Sequence, residues 1–336
     1  MRFDKKFARK VVFPLITDTG LEKIFRKFSD HSVLNIMFHG VVKNDFKNFS
    51  PRHIPLNQFE KILQYLTKEF DIISLDEAFN LYRNRIKPKR KSINITFDDG
   101  YRNNLINALP ILEKYDAQAT FFISTIVLEN NLEPILWADD IACLKYYNKN
   151  AIIQIENMRF QNFVDDMTGL SLVDYLKSQD ASKRDQILNN LVHEFDLRKK
   201  IKDIPSEQWS LLSKDEIIEL SNSKIVKIGS HGHLHYNLSN LSAVDAFNDM
   251  KKSKDLLEKV IDKQVDSLAY PDGSYNSPLK DMAMEIGFTK QLAVNYIDKM
   301  DNNDPRILNR HGISSTTTYE SNVVTLNLAF RSKGYN

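Results

Sequence analysis

The stretch Ser92-Ile93-Asn94-Ile95-Thr96-Phe97-Asp98-Asp99-Gly100 sets the fold and points to the chemistry. Its first six residues include three β-branched side chains and predict a buried strand. The strand then runs straight into two carboxylates and a glycine that permits a tight turn. Side chains along a strand alternate, so Asp98 and Asp99 point to opposite sides. They are poor joint ligands for one ion, but suit a division of labour in which one binds a metal and the other acts as a base. The competing reading is an acidic helix start, because Asp is a common cap.

Outward from this strand the chain alternates. Upstream, Val33 to Phe38 reads as a strand. Phe59, Ile62, Leu63 and Leu66 give an amphipathic helix with Asn57 as its cap, and Asp71 to Leu75 is a second strand before a short helix over Asp76 to Arg83. Downstream, a helix through Leu105, Leu109 and Leu112 leads to a strand at Ala119 to Ile123. The rhythm resumes with strands at Lys224 to Ile228 and Ser267 to Tyr270, and helices at Ala243 to Val260 and Ser277 to Ile286. Gln291 to Tyr296 and Ile307 to Ile313 are weaker late strands. Repeated strand–helix units predict a mostly parallel sheet, open or closed into a barrel, with its chemistry at the carboxyl ends of the strands.

Between about residues 134 and 213 the rhythm breaks. This segment is polar and mainly helical in pattern, for example over Ser182 to Phe195, and holds both tryptophans, Trp137 and Trp209. It reads as an insertion within one α/β domain spanning 31–336. Residues 1–30 form a helical extension in which Leu21, Ile24, Phe25 and Phe28 share one face beside Lys23, Arg26 and Lys27. Packing on the domain is the expectation; peripheral contact with an anionic membrane is the alternative. No apolar run reaches the length of a membrane span.

The second chemical feature is Gly229-Ser230-His231-Gly232-His233-Leu234-His235, at another predicted strand exit. Three histidines in five residues are hard to explain as core packing, and imidazole is a common ligand for zinc and its neighbours. A helical turn would bring His231 and His235 to one face; a continued strand would bring His231 and His233 together, and spacing leaves both open. Gly232 stands where a zinc-protease motif needs glutamate, which excludes that class. One Asp and two His make a three-ligand metal site with room for water and substrate.

Composition bounds the rest. The 336 residues are 42% hydrophobic and 27% charged, enough for a sizeable core and unlike a disordered chain. Forty-six Lys and Arg against 44 Asp and Glu leave a net charge of +2, so nucleic acid is not an expected partner. Cys143 is the single cysteine and cannot form a disulfide within the chain; with no signal-peptide pattern, the expectation is a cytoplasmic protein.

These residues resemble a known family. Thr96-Phe97-Asp98-Asp99-Gly100 resembles the first motif of the polysaccharide deacetylases (the NodB-homology family, carbohydrate esterase family four). Ser230 to His235 is similar to the second motif, with Gly232 where relatives have Ser or Thr, and Asn237 to Leu241 matches its usual continuation. Leu268-Ala269-Tyr270-Pro271-Asp272-Gly273-Ser274-Tyr275 resembles the third, and Phe38-His39-Gly40-Val41 an element near the start of many members. The resemblance covers about residues 34 to 125 and 214 to 315.

The resemblance implies a distorted (β/α) barrel of about seven strands and hydrolysis of an N-acetyl group on an aminosugar of a surface polysaccharide or its precursor. It implies that Asp99, His231 and His235 bind one divalent ion, zinc first, with cobalt, nickel or manganese as alternatives. Asp98 would be the general base, and the backbone near Asp272 an oxyanion donor. Ala269 replaces an arginine that orients the base in many relatives, and Arg310 could substitute from another strand end. The general acid would be His311 or His39, with His39 and Tyr270 also facing substrate. Trp137 could stack on a sugar, or belong to the insertion's own core. The missing arginine and Gly232 also motivate a second expectation, an inactive carbohydrate-binding relative; a third is a metal amidohydrolase acting on a non-carbohydrate or N-formyl substrate.

Overall fold

The structure is a computed structural model that describes residues 11–27, 32–43, 46, 49–129 and 134–331. Nine strands form one wholly parallel sheet: β1 Val33–Phe38, β2 Asp71–Ile72, β3 Ser92–Phe97, β4 Ala119–Ile123, β5 Val226–Ser230, β6 Ser267–Ala269, β7 Lys290–Leu292, β8 Ile307–Leu308 and β9 His311–Gly312. The order is β8-β7-β6-β5-β4-β3-β1-β9, with β2 paired beside β3. This is the strand arrangement of a distorted (β/α) barrel, with helices covering the sheet. Strand β3 is the register centre. It pairs with β1 from Val33↔Ser92 through Phe38↔Phe97, and with β4 from Ile95↔Ala119 to Phe97↔Phe121.

All six residues of β3 are buried, because both faces of a parallel sheet are covered. Phe97 stacks on Phe121 at 4.7 Å and on Phe38 at 5.3 Å, so adjacent strands are locked by their aromatic side chains. The helix Leu56–Glu69 packs Phe59, Ile62, Leu63 and Leu66 against this core at helical spacing. It starts one residue before Asn57, directly after Pro55, and has no side-chain cap; the fixed φ of Pro55 delivers the chain from the strand His53–Pro55 into the first turn.

The late strands differ from their expected limits. Strand β5 begins at Val226 rather than Lys224, and β7 is confined to Lys290–Leu292. The run Ile307 to Ile313 is two strands, because the chain leaves β8 at Asn309 and joins β1 only from His311, with Ile36↔His311 as the register. Arg310 occupies the break.

Residues 134–213 carry a second apolar cluster, including Trp137, Leu144, Phe160, Leu176, Leu191 and Trp209. The segment is not helical throughout. Ile152–Ile155, Met158–Gln161 and Val164–Asp165 form a three-stranded antiparallel sheet, with the exposed–buried alternation of a surface strand. The N-terminal extension contains two short helices, Phe13–Asp18 and Glu22–Lys27; Met1 to Lys10 and Phe28 lie outside the described residues.

Candidate active site

Asp98 and Asp99 follow β3, and His231 follows β5. Parallel pairing through β4 brings both exits to one edge, and Ser124 and Thr125 beyond β4 fasten them. The Ser124 amide donates to the Asp99 carbonyl at 3.4 Å, and the Thr125 amide donates to the Gly232 carbonyl at 3.2 Å. Asp99 and His235 both adopt left-handed backbone, with φ of +78° and +52°, so each side chain is aimed by a turn that most residues avoid.

These turns converge three buried ligand atoms within 4.8 Å of one another, from Asp99, His231 and His235. The Asp99 Oδ1 lies 3.4 Å from His231 Nε2 and 3.1 Å from His235 Nε2. Two donors on a tetrahedral zinc are about 3.3 Å apart for bonds near 2 Å, so both Asp99–histidine separations match that ion. His231 Nδ1 donates to the Ala269 carbonyl at 2.8 Å, which fixes the ring and leaves Nε2 facing the site. Burial disfavours a proton on His231, yet Asp98 and Asp99 outweigh it and push its pKa up. Burial likewise opposes charge on Asp99, but His231 and His235 hold it well below the usual carboxylate range. A proton and a metal ion thus compete for the same nitrogen position.

Asp98 turns to the other side. Arg310, reaching in from the break between β8 and β9, donates Nη1 to Oδ1 at 2.6 Å and Nη2 to Oδ2 at 2.8 Å. Thr96 Oγ1 accepts a further bond from Nη1 at 3.2 Å. Burial raises the Asp98 pKa, but the guanidinium and His231 more than offset it, so the carboxylate stays ionised.

His39 sits at the exit of β1, half-buried and within the field of Asp98, Asp99 and His231; burial sets its pKa below the ordinary histidine value. His311 is not brought to these groups. Burial alone lowers its pKa to about 4, with no carboxylate acting on it, because β9 holds it against Ile36. Tyr270 is fully buried, donates to Gln291 Oε1 at 2.7 Å and stacks on Tyr275, so it faces the core and not substrate. Trp137 belongs to the insertion's cluster, and the Arg184 guanidinium covers its ring at 5.6 Å, leaving no free face for a sugar. Asp272 forms the turn after β6 with φ of +59°, and Lys177 of the insertion pairs with it at 2.6 Å.

The second-motif loop explains Gly232. Asp249, from the helix Ala243–Ile261, accepts from the His233 and Leu234 amides at 2.7 and 3.0 Å. Gly232 has φ of +72°, and a Cβ there would lie 2.9 Å from Asp249 Oδ1. A neighbouring network was missed from sequence. Arg52 pairs with buried Asp139 of the insertion, whose other oxygen accepts from Tyr101 at 3.0 Å. Burial raises Asp139 to about 6. An acid set among Leu136, Trp137 and Ile141 is a local signal of a buried partner; Arg52 offers none.

Known proteins share this chain's fold and part of its sequence. A family model described as "Polysaccharide deacetylase" matches residues 85–290. The protein YxkH of Bacillus subtilis (strain 168), which carries a polysaccharide deacetylase name, is 30% identical over 89 residues, 26% of this chain, and the match spans only 30% of that relative's length. Among solved structures, the Streptococcus pyogenes deacetylase PplD in complex with acetate superposes with a TM-score of 0.55 at 18% identity, over 87% of this chain and 96% of that one. IcaB from Ammonifex degensii gives 0.57 at 15%, over 89% and 98%. These two likenesses are of fold. The family match takes in more than half of the sequence, and the chain belongs to the polysaccharide deacetylase family.

Proposed function

We propose that the protein is a metal-dependent hydrolase that removes an N-acetyl group from an aminosugar of a surface polysaccharide or its precursor. The observation that carries this reading is one edge holding two separate devices: the Asp99–His231–His235 trio and the Arg310-held Asp98. Zinc suits two nitrogens and one oxygen, and when bound it would polarise an amide carbonyl and acidify a water molecule. Asp98 is the general base, kept ionised and aimed by the Arg310 fork. Of the two candidate general acids, His39 is the one within the field of Asp98 and Asp99, whose charge favours the protonated form that burial disfavours; His311 has no such neighbour. The Asp272 amide is the backbone N–H that would serve the developing oxyanion, since the next two amides already donate to the Tyr270 and Pro271 carbonyls.

An inactive carbohydrate-binding role was motivated by Ala269 and Gly232. Arg310 reaches the base in place of the missing arginine, and Gly232 makes room for Asp249, so neither residue argues for lost activity.

The test is acetate release by zinc-loaded protein from a panel of N-acetylated aminosugars, free, lipid-linked and polymeric, beside N-formyl and non-carbohydrate amides. Acetate from at least one sugar is the expected outcome. Turnover confined to the non-sugar amides would overturn the substrate class, and no turnover with full metal occupancy would overturn the enzymatic reading.

A further inference from the structure

The N-terminal helices are amphipathic in an inverted sense. In Glu22–Lys27 the side chains of Glu22 and Arg26 face the protein body, whereas Lys23, 47% exposed, and Lys27 stand out beside the aliphatics. Glu22 is only 2% exposed and accepts from the Tyr65 hydroxyl at 3.4 Å. Arg26 pairs with Glu69 at 2.6 Å and lies 4.5 Å over the Phe70 ring. The aliphatic residues face out: Leu21 and Ile24, three apart, are 46% and 49% exposed. Val11 and Leu15, four apart around the helix Phe13–Asp18, are 50% and 61% exposed. The sequence pattern puts Leu21, Ile24 and Phe25 on a face packed against the domain; Leu21 and Ile24 do not pack there, because the Glu22–Arg26 side has taken that position, while Phe25 is half-buried.

Helices of water-soluble domains turn their apolar stripe inward, and clustered exposed aliphatics mark a surface that meets something else. The chemistry of the flanking chain says what. Met1 to Lys10 carry Arg2, Lys5, Lys6, Arg9 and Lys10 against a single acid, Asp4. Aliphatic side chains beside a strongly basic segment match an anionic bilayer, where the former reach the acyl boundary and the latter meet phosphate groups.

We propose that the exposed aliphatic face of residues 11–27 docks the protein peripherally on an anionic lipid surface. The docking helices contact Tyr65, Glu69 and Phe70, just ahead of Asp71, which pairs with the first residue of β3. That is the edge where the strands begin. Asp98 and His231 lie where they end, so a docked molecule turns its catalytic edge away from the bilayer.

The test is co-sedimentation of the purified full-length chain with phosphatidylcholine vesicles, with and without phosphatidylglycerol. The expected result is binding only when phosphatidylglycerol is present, lost in about 0.5 M salt as charges are screened. Leu21→Ser with Ile24→Ser should weaken it about tenfold, since both side chains are exposed and the fold does not need them. A separate Leu15→Ser variant should weaken it by a smaller factor. Absence of binding to phosphatidylglycerol vesicles overturns the proposal, as does binding that the double variant retains in full. A concentration-dependent dimer broken by the double variant, without vesicle binding, would assign the surface to a second copy and also overturn it.

Discussion

Arg310 grips both oxygens of Asp98, at 2.6 and 2.8 Å, from a strand break more than two hundred residues further along the chain. The arginine is fully buried and the carboxylate 3% exposed, so Arg310 is the main compensation for the Asp98 charge, with His231 4.0 Å away as a second. Removing the cation strands a buried anion.

Arg310→Met should therefore cost about 3–5 kcal/mol of stability, read from denaturant unfolding. Arg310→Lys keeps a charge but loses the two-pronged geometry, and should retain the fold while lowering kcat for acetate release by roughly 10²-fold. A Lys variant with unchanged kcat would show that Asp98 needs no orientation.

Asp98 and the metal trio should separate experimentally. Asp98→Asn is expected to abolish acetate release while metal content, measured by plasma emission, stays near that of the wild type. His231→Ala should instead deplete the metal. Equal metal loss in both variants would refute the division between the two neighbouring aspartates.

Gly232→Ser installs the residue that relatives carry, yet should harm this protein. The left-handed φ and the 2.9 Å approach to Asp249 predict a loss of about 1–3 kcal/mol, seen as a lower Tm, with no gain in turnover. Gly232→Ser paired with Asp249→Gly should relieve the clash but leave the His233 and Leu234 amides unpartnered, so it should recover little.

Asp140 ties pH to stability. Burial raises its pKa to about 7, against the pull of Arg198, whereas an unfolded Asp titrates near 3.9. Between those values the folded chain holds a proton that the unfolded chain has lost. Stability contributed by this group is present below about pH 4 and declines as pH rises to 7. Asp140→Asn removes the titration, so its stability relative to wild type should improve steadily from pH 4 to 7, by an amount on the order of 4 kcal/mol, read as a rising relative Tm. A constant offset across that range would contradict the assignment.

Much of this was readable before any coordinates. Strands β1, β3 and β4 match their expected limits because they are short segments rich in β-branched and aromatic residues, bounded by polar and turn residues. The Asp pair and the histidine cluster are local in sequence, so they stood out. What escaped was set by distance or by weak contrast. The sheet from Ile152 to Asp165 has one exposed face and alternates too faintly to separate from a polar helix. The Arg52–Asp139–Tyr101 network joins three distant segments, and no local pattern announces it. Leu21 and Ile24 have the spacing of a packed face, but spacing does not say which side of a helix meets the protein.

The trio of ligands also has a history in time. Asp99 lies ahead of the 134–213 insertion and His231 behind it, about 130 residues further on, so closing the site means closing a very long loop. The entropic cost of that closure is lowered if the intervening segment first collapses on its own apolar cluster, which shortens the effective tether. On a ribosome, the first aspartates emerge well before either histidine. A nascent chain thus cannot bring Asp99, His231 and His235 together until residues 134–213 and β5 have both been made, so the proposed ion would load late in maturation.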